Sequence, residues 1–164
     1  MNHVRPANLA DVPELASLMI EFYGEADFTL ARAAAERTFK ALLAAPELGG
    51  VWLLESDGIC AGFAVLTVSF SMEYGGLRGF VDDFFVKKAF RRQGLGAAAL
   101  AEVRSACQER GVRALLVETG PSNDDALRVY RRAGFSDTGH TLLTLQLAGP
   151  VHAAQQGDEA DEAR

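Results

Sequence analysis

The segment that most restricts the fold is Val86-Lys87-Lys88-Ala89-Phe90-Arg91-Arg92-Gln93-Gly94-Leu95-Gly96, which joins a run of strand formers to an amphipathic helix through a basic loop and two closely spaced glycines. Upstream, in Arg78 to Val86, Phe80, Val81, Phe84, Phe85 and Val86 favour extended backbone. Downstream, from Gly94 to Arg110, Leu95, Ala99, Val103 and Ala106 share a helical face, and Gly111 supplies a left-handed stop. The first turn of such a helix has unpaired N–H groups and a positive dipole end, and glycines let a diphosphate approach the backbone without meeting a Cβ atom. Arg91 and Arg92 add charge. Next comes Ala114-Leu115-Leu116-Val117-Glu118, almost wholly apolar, as expected of a strand covered on both faces and parallel to the strand before the helix. These pieces form a βαβ unit with an anion-binding turn.

The rest of the chain gives this unit antiparallel company. A short strand near Val4 ends at Pro6, and Asp11-Val12-Pro13-Glu14 opens a helix to about Tyr23. A second helix is expected from Thr29 to about Ala45, where Pro46 stops it. Val51–Glu55 and Ile59–Phe70 read as a hairpin about Asp57-Gly58, and Tyr74-Gly75-Gly76 returns the chain into Arg78 to Val86. Beyond the βαβ unit, Ser122-Asn123-Asp124-Asp125 starts a helix that Gly134 closes, and Thr141 to Leu147 reads as a last strand. The expected fold class is one α/β domain of the α+β type, with a mixed, largely antiparallel central sheet flanked by helices. It occupies residues 1–147; residues 148–164, rich in Ala, Gln, Gly and acidic side chains, read as a solvated acidic tail.

Several function classes drop away. A chain of 164 residues supports one core, and a formal charge of -6 argues against a general nucleic-acid binder. No window of about 18 apolar residues and no leader-like start are found, so the expectation is a cytoplasmic protein without a membrane partner. Cys60 and Cys107 read as buried thiols. His3, His140 and His152 are too scattered to suggest a metal centre or a Ser-His-Asp device.

Two kinds of site use the physics of the glycine turn. Gly94-Leu95-Gly96-Ala97-Ala98-Ala99 satisfies G-x-G-x-x-G/A, with Glu118 about 20 residues on, as in a dinucleotide-binding oxidoreductase. Against that reading, antiparallel strands precede the turn and only one helix and one strand follow Glu118.

Arg91-Arg92-Gln93-Gly94-Leu95-Gly96 matches R-x-x-G-x-G, and Asn123 to Phe135 matches N-x-x-A-x-x-x-Y-x-x-x-G-F. Together they resemble the two cofactor motifs of the GNAT superfamily of acyl-CoA N-acetyltransferases, in element order from Val4 to Leu147. The resemblance implies acetyl-CoA as cosubstrate, its diphosphate held by amides around Arg91, Arg92, Gln93, Gly94, Leu95 and Gly96. It implies that backbone near Phe84 and Val86 pairs with the pantetheine arm, that an N–H near Val86 meets the developing oxyanion, and that the strands ending near Val86 and Glu118 splay to admit the thioester. Asn123 would hydrogen-bond the arm, and Tyr130 would meet the sulfur. Asn123 and Tyr130 lie seven residues apart, about two helical turns, so one ligand can touch both. Read without the resemblance, Tyr130 is first a core aromatic on an amphipathic helix, and a simple helix-terminus residue is the alternative for Asn123.

Acyl transfer needs a neutral amine, whereas an alkylammonium has a pKa near 10.4. Candidate bases are Asp82, Asp83 and Glu118; strand alternation places Asp82 and Asp83 on opposite faces. The run Val81-Asp82-Asp83-Phe84-Phe85-Val86 is similar to the corresponding strand of diamine acetyltransferases, which implies a small cationic amine as acceptor, a polyamine first. Specificity is expected from Glu21 to Phe28 and from Glu73 and Tyr74, with Phe22, Tyr23 and Tyr74 as aromatic faces for an ammonium group. No metal is required. A homodimer is expected because related enzymes are often dimers. A non-catalytic acyl-CoA-binding sensor is the alternative.

Overall fold

The computed structural model describes residues 1–120 and 122–154. Strand β1 (Asn2–Pro6) leads into α1 (Val12–Gly24), the short β2 (Phe28–Thr29) and α2 (Arg32–Leu43). The long antiparallel part follows as β3 (Gly49–Ser56), β4 (Ile59–Ser71) and β5 (Gly76–Val86). Then come α3 (Leu95–Glu109), β6 (Ala114–Val117), α4 (Asp124–Arg132) and β7 (Ala153–Ala154). The main sheet has the order β1-β3-β4-β5-β6, antiparallel throughout except for the β5–β6 pair. This is the mixed, largely antiparallel sheet flanked by helices that the sequence suggests, and it carries one parallel step instead of the run of parallel strands a dinucleotide fold needs.

Two apolar clusters sandwich the sheet. On one face, α1 and α2 bury Leu15, Leu18, Met19, Ala35 and Phe39 against Leu53, Phe63, Val65 and Phe85. On the other, α3 and α4 bury Leu95, Ala99, Val103 and Tyr130 against Leu54, Ala64, Leu66 and Val81. Period-two alternation along β3 and β4 delivers Leu53, Phe63 and Val65 to the first cluster and Leu54, Ala64 and Leu66 to the second. The entry to α1 is fixed by Asn8 and Asp11, whose side chains accept from the Ala10 and Asn8 amides, while Arg5 clamps Asp11.

Two local expectations differ from the structure. The second helix begins at Arg32, because Phe28–Thr29 are drawn into a two-residue antiparallel pairing with Ala153–Ala154. Those two alanines fall within the stretch read as solvated tail, of which residues 155–164 lie outside the described residues. Thr141–Leu147 forms no strand, and Leu142, Leu143, Leu145 and Leu147 are all exposed. Alternating leucines select extended backbone, but a strand exists only with a ladder partner, and β6 is not used as one.

Candidate functional site

The site is set by where β5 and β6 part. They pair in parallel only from Arg78↔Ala114 to Val81↔Val117; β6 then stops, while β5 continues through Asp82, Asp83, Phe84 and Phe85 to Val86. The sheet thus opens past Val81, and the basic loop and the start of α3 follow β5 at this end.

In the loop, a short 3-10 turn at Lys88–Phe90 gives way to two left-handed residues, Arg92 with φ 64° and Gly94 with φ 83°. Gly94 is the N-cap of α3, with no side chain capping the helix and no acidic residue in its first turn. The first intrahelical bond that Gly94 accepts comes from the Ala98 amide, at 3.0 Å, so the amides of Leu95, Gly96 and Ala97 have no acceptor within the helix. A Cβ on Gly94 would meet nothing within 4 Å, and one on Gly96 only the Phe84 ring at 3.6 Å and Val129 at 3.9 Å. Neither glycine is demanded by packing; Gly94 is demanded by its φ. Gln93 steadies the turn, donating to the Ala89 carbonyl at 3.0 Å and accepting at its own carbonyl from Asn2 at 2.9 Å.

The two arginines differ. Arg92 is exposed and forms no ion pair among the described residues. Arg91 donates through Nε to the Val86 carbonyl at 2.6 Å and forks onto Glu25 at 2.7 and 2.9 Å, with its guanidinium over Phe85. Its charge is therefore engaged by the acidic turn after α1. It ties the loop before α3 to the turn after α1.

The acidic pair departs from simple alternation. Ala64 pairs with Phe84 and Leu66 with Val81, so Val65 alone opposes both Asp82 and Asp83. This is a β-bulge on β5, and it resets which face each residue meets. Val81 and Phe84, three apart, both pack into the α3 cluster, which strict alternation forbids. The expectation that Asp82 and Asp83 face opposite sides therefore fails: both turn toward the α1 face, where each raises the pKa of Tyr23. Tyr23 donates its hydroxyl to both Asp83 oxygens, at 3.3 and 3.4 Å. Burial, then the Asp82 charge, pushes the Asp83 carboxyl up to about 6, against the opposing hydrogen bond from Tyr23. Burial also raises Asp82.

Aromatic groups wall this pair. The Tyr23 ring lies 6.5 Å from Phe28 and 5.0 Å from His152, and Phe28 lies 4.2 Å from His152. Nδ1 of His152 is buried without a hydrogen-bond partner among the described residues. Phe22 instead packs against Phe63 and Phe85 in the core, and Tyr74 stands apart at the β4–β5 tip. Phe28 closes the segment expected to set specificity, whereas His152, packed on Tyr23 and Phe28, is the residue that sequence reasoning missed. For His152 no local signal exists, since its neighbours read as tail.

Across the sheet, Tyr130 is 7% exposed, held between Phe84 at 6.1 Å and Phe135 at 5.7 Å. Its hydroxyl makes no hydrogen bond among the described residues, and burial pushes its pKa up to about 12. Asn123 is the N-cap of α4 and accepts from the Ala126 amide at 3.2 Å, leaving its Nδ2 for another partner. Glu118 is exposed one residue past β6 and makes no side-chain hydrogen bond or ion pair among the described residues. The structure thus brings Asp82, Asp83 and Tyr23 together on one face, and Phe84, Gly96 and Tyr130 on the other.

Comparison with known proteins identifies the family and the fold. The model of the Acetyltransferase (GNAT) family matches residues 12–135. No curated protein matches the chain. An integron cassette protein from the mobile metagenome of Cole Harbour Salt Marsh superposes with a TM-score of 0.84 at 55% identity, over 90% of this chain and 92% of that one. The aminoglycoside N-acetyltransferase AAC(6')-Iy in complex with CoA gives 0.78 at 18% identity over 90% and 96%. The ribosomal-protein-alanine N-acetyltransferase from Brucella melitensis biovar Abortus 2308 gives 0.71 at 16% over 90% and 100%. At those two identities the likeness is one of fold. Among the described residues no helix is long and apolar enough to cross a membrane, and no group of three metal-ligating side chains is found.

Proposed function

Because the chain belongs to the acetyltransferase (GNAT) family and is thereby an acyl-CoA-dependent N-acetyltransferase, we propose that it acetylates a small cationic amine through the opening between β5 and β6. The observation that carries this reading is that Asp83, beside Asp82, meets Tyr23 on the α1 side of β5, while Tyr130, whose hydroxyl makes no hydrogen bond among the described residues, lies against Phe84 in the α3 cluster.

On the cofactor side, the residues fit a CoA diphosphate. The Leu95, Gly96 and Ala97 amides form an uncapped helix start free of acidic side chains in its first turn, and Arg92 beside it forms no ion pair among the described residues. Gly96 leaves the approach clear of a Cβ. The Asn123 Nδ2 and the exposed backbone of β5 past Val81 are the groups that would hold the arm. Acetyl-CoA supplies an already activated acyl group, so the protein needs no covalent nucleophile; its work is to position two substrates and move two protons. Tyr130, neutral at any working pH, is the donor to the departing thiolate.

On the acceptor side, Asp82 and Asp83 attract the ammonium form, and the Tyr23, Phe28 and His152 rings wall the approach. Asp83, with a pKa near 6, is largely ionised at neutral pH yet basic enough to take the amine proton as the N–C bond forms. Two carboxylates on one face suit a molecule with more than one cationic nitrogen, so a polyamine leads, ahead of an aminoglycoside, an amino acid or a protein N-terminus. Glu118 stands outside this arrangement and is not needed.

The deciding experiment is free-thiol release from acetyl-CoA across an amine panel, with mass spectrometry of the product. Polyamines turning over fastest support the reading, and polyamines as inert as buffer remove it. Tyr130→Phe is expected to slow turnover tenfold or more while CoA affinity stays within about twofold. CoA binding without thiol release for any amine would instead indicate an acyl-CoA sensor.

A further inference from the structure

One polar side chain on the acceptor face has a ring with neighbours and a nitrogen without any. His152 packs on Tyr23 and Phe28, yet its Nδ1 is buried and makes no hydrogen bond among the described residues. Buried polar atoms in folded proteins are nearly always partnered, so an orphan beside a substrate site points to a partner that arrives with the substrate.

The strand pairing explains how a residue so near the C-terminus reaches this place. Phe28 and Thr29 of β2 lie opposite Ala154 and Ala153 of β7. His152 precedes Ala154 by two residues, so extended backbone puts both side chains on one side and makes the imidazole a diagonal neighbour of Phe28. The two rings are 4.2 Å apart between centroids, and the imidazole is 5.0 Å from the Tyr23 ring. Tyr23 thus touches the imidazole with its ring and Asp83 with its hydroxyl.

The surrounding charges fit one kind of ligand. The nearby cations are already engaged, Lys87 with Glu21 and Arg91 with Glu25, and neither Asp82 nor Asp83 has a basic partner among the described residues. A neutral imidazole with its proton on Nε2 accepts at Nδ1. This face therefore offers acceptors in excess of donors: two carboxylates and one ring nitrogen. An alkylammonium is the complement, with three N–H donors and no acceptor. Asp82 attracts positive charge wherever it lies nearby, whereas a hydrogen bond to a ring nitrogen has direction and length.

We propose that His152 is a specificity-determining residue whose Nδ1 accepts an N–H from the second nitrogen of the acceptor while the first meets Asp83, so that the enzyme ranks diamines above monoamines. The inference rests on the small cationic amine proposed for this site, and adds the residue that tells one nitrogen from two.

The test sets terminal alkane diamines against alkylamines of the same carbon count, by thiol release from acetyl-CoA in the full chain and in His152→Phe. The substitution keeps a flat ring against Tyr23 and Phe28 and removes the nitrogen. A hydrogen bond to a charged group changes kcat/KM by about tenfold or more, so the unsubstituted protein should favour the diamine by at least about that factor. In His152→Phe the ratio of diamine to monoamine kcat/KM should fall toward one, chiefly through the diamine KM. A second readout needs no change at His152: in isotope-labelled histidine NMR, with His3 and His140 replaced, the remaining Nδ1 resonance should move when diamine is added and stay put with monoamine. A ratio unchanged in His152→Phe, including an equal loss for both amines, or a resonance indifferent to the diamine would overturn the inference and leave the amine site standing. Diamines and monoamines alike inert in the unsubstituted protein would remove that reading and the inference with it.

Discussion

Replacing Tyr23 by Phe removes one hydroxyl and leaves the ring between Phe22, Phe28 and His152, so it isolates the hydrogen bond to Asp83. Three influences set the Asp83 pKa near 6: burial and the Asp82 charge raise it, and the Tyr23 hydroxyl lowers it. The substitution deletes only the last. Hydrogen bonds to charged groups contribute about 1.5–3 kcal/mol, and lengths of 3.3 and 3.4 Å put this one at the weak end. About 1.4 kcal/mol corresponds to one pH unit, so the Asp83 pKa should rise to about 7. At pH 6.5 the ionised fraction then falls from about three quarters to about one quarter, and kcat/KM should fall about threefold. At pH 8 and above, where Asp83 is ionised in both proteins, the two should converge. The assay is thiol release over pH 5–9 with the best amine at subsaturating concentration. The acceptor's own ammonium titrates well above this window, so the acid limb reports the enzyme. An acid inflection that stays put or moves down, or a loss equal at every pH, would refute the assignment of Asp83 as the base that Tyr23 tunes.

Asp83→Asn should lower turnover by a hundredfold or more while stabilising the fold at neutral pH. A carboxyl whose pKa is raised on folding binds more protons folded than unfolded, so wild-type stability falls as pH rises from about 4 to about 6. The amide escapes that penalty, and a gain of up to about 3 kcal/mol above pH 6, vanishing below pH 4, should appear in denaturant titrations. Gly94→Val should cost about 1–2 kcal/mol of stability through its left-handed φ and reduce CoA affinity far more, as calorimetric titration would reveal, since the new side chain enters open space at the helix start and not the core. Glu25→Gln breaks the fork with Arg91; an exposed pair of this kind contributes under about 1 kcal/mol, so thermal unfolding should barely move. A large drop in melting temperature would mean that the tie between the two loops is structural.

What the sequence made legible were features carried by neighbours along the chain. The turn from β5 into α3, the apolar face of α3 and the Asn123–Tyr130 spacing each lie within a dozen or so residues, where helical period and glycine placement decide conformation. The bulge at Asp82-Asp83 was not legible, because it exists only relative to Val65 on the strand opposite, and nothing in the run Val81–Val86 announces an extra residue. The Arg91–Glu25 and Tyr23–Asp83 contacts join residues 66 and 60 apart, so each depends on helices and strands having already been docked. Thr141–Leu147 shows the same limit from the other side. Its alternation asks for a strand with one buried face, but a strand forms only where a ladder partner is brought to it, and among the described residues none pairs with Thr141–Leu147. Local pattern therefore encodes a preference for extended backbone, and only the route of the surrounding chain, held at Phe135 and at His152, decides whether a ladder partner lies within reach.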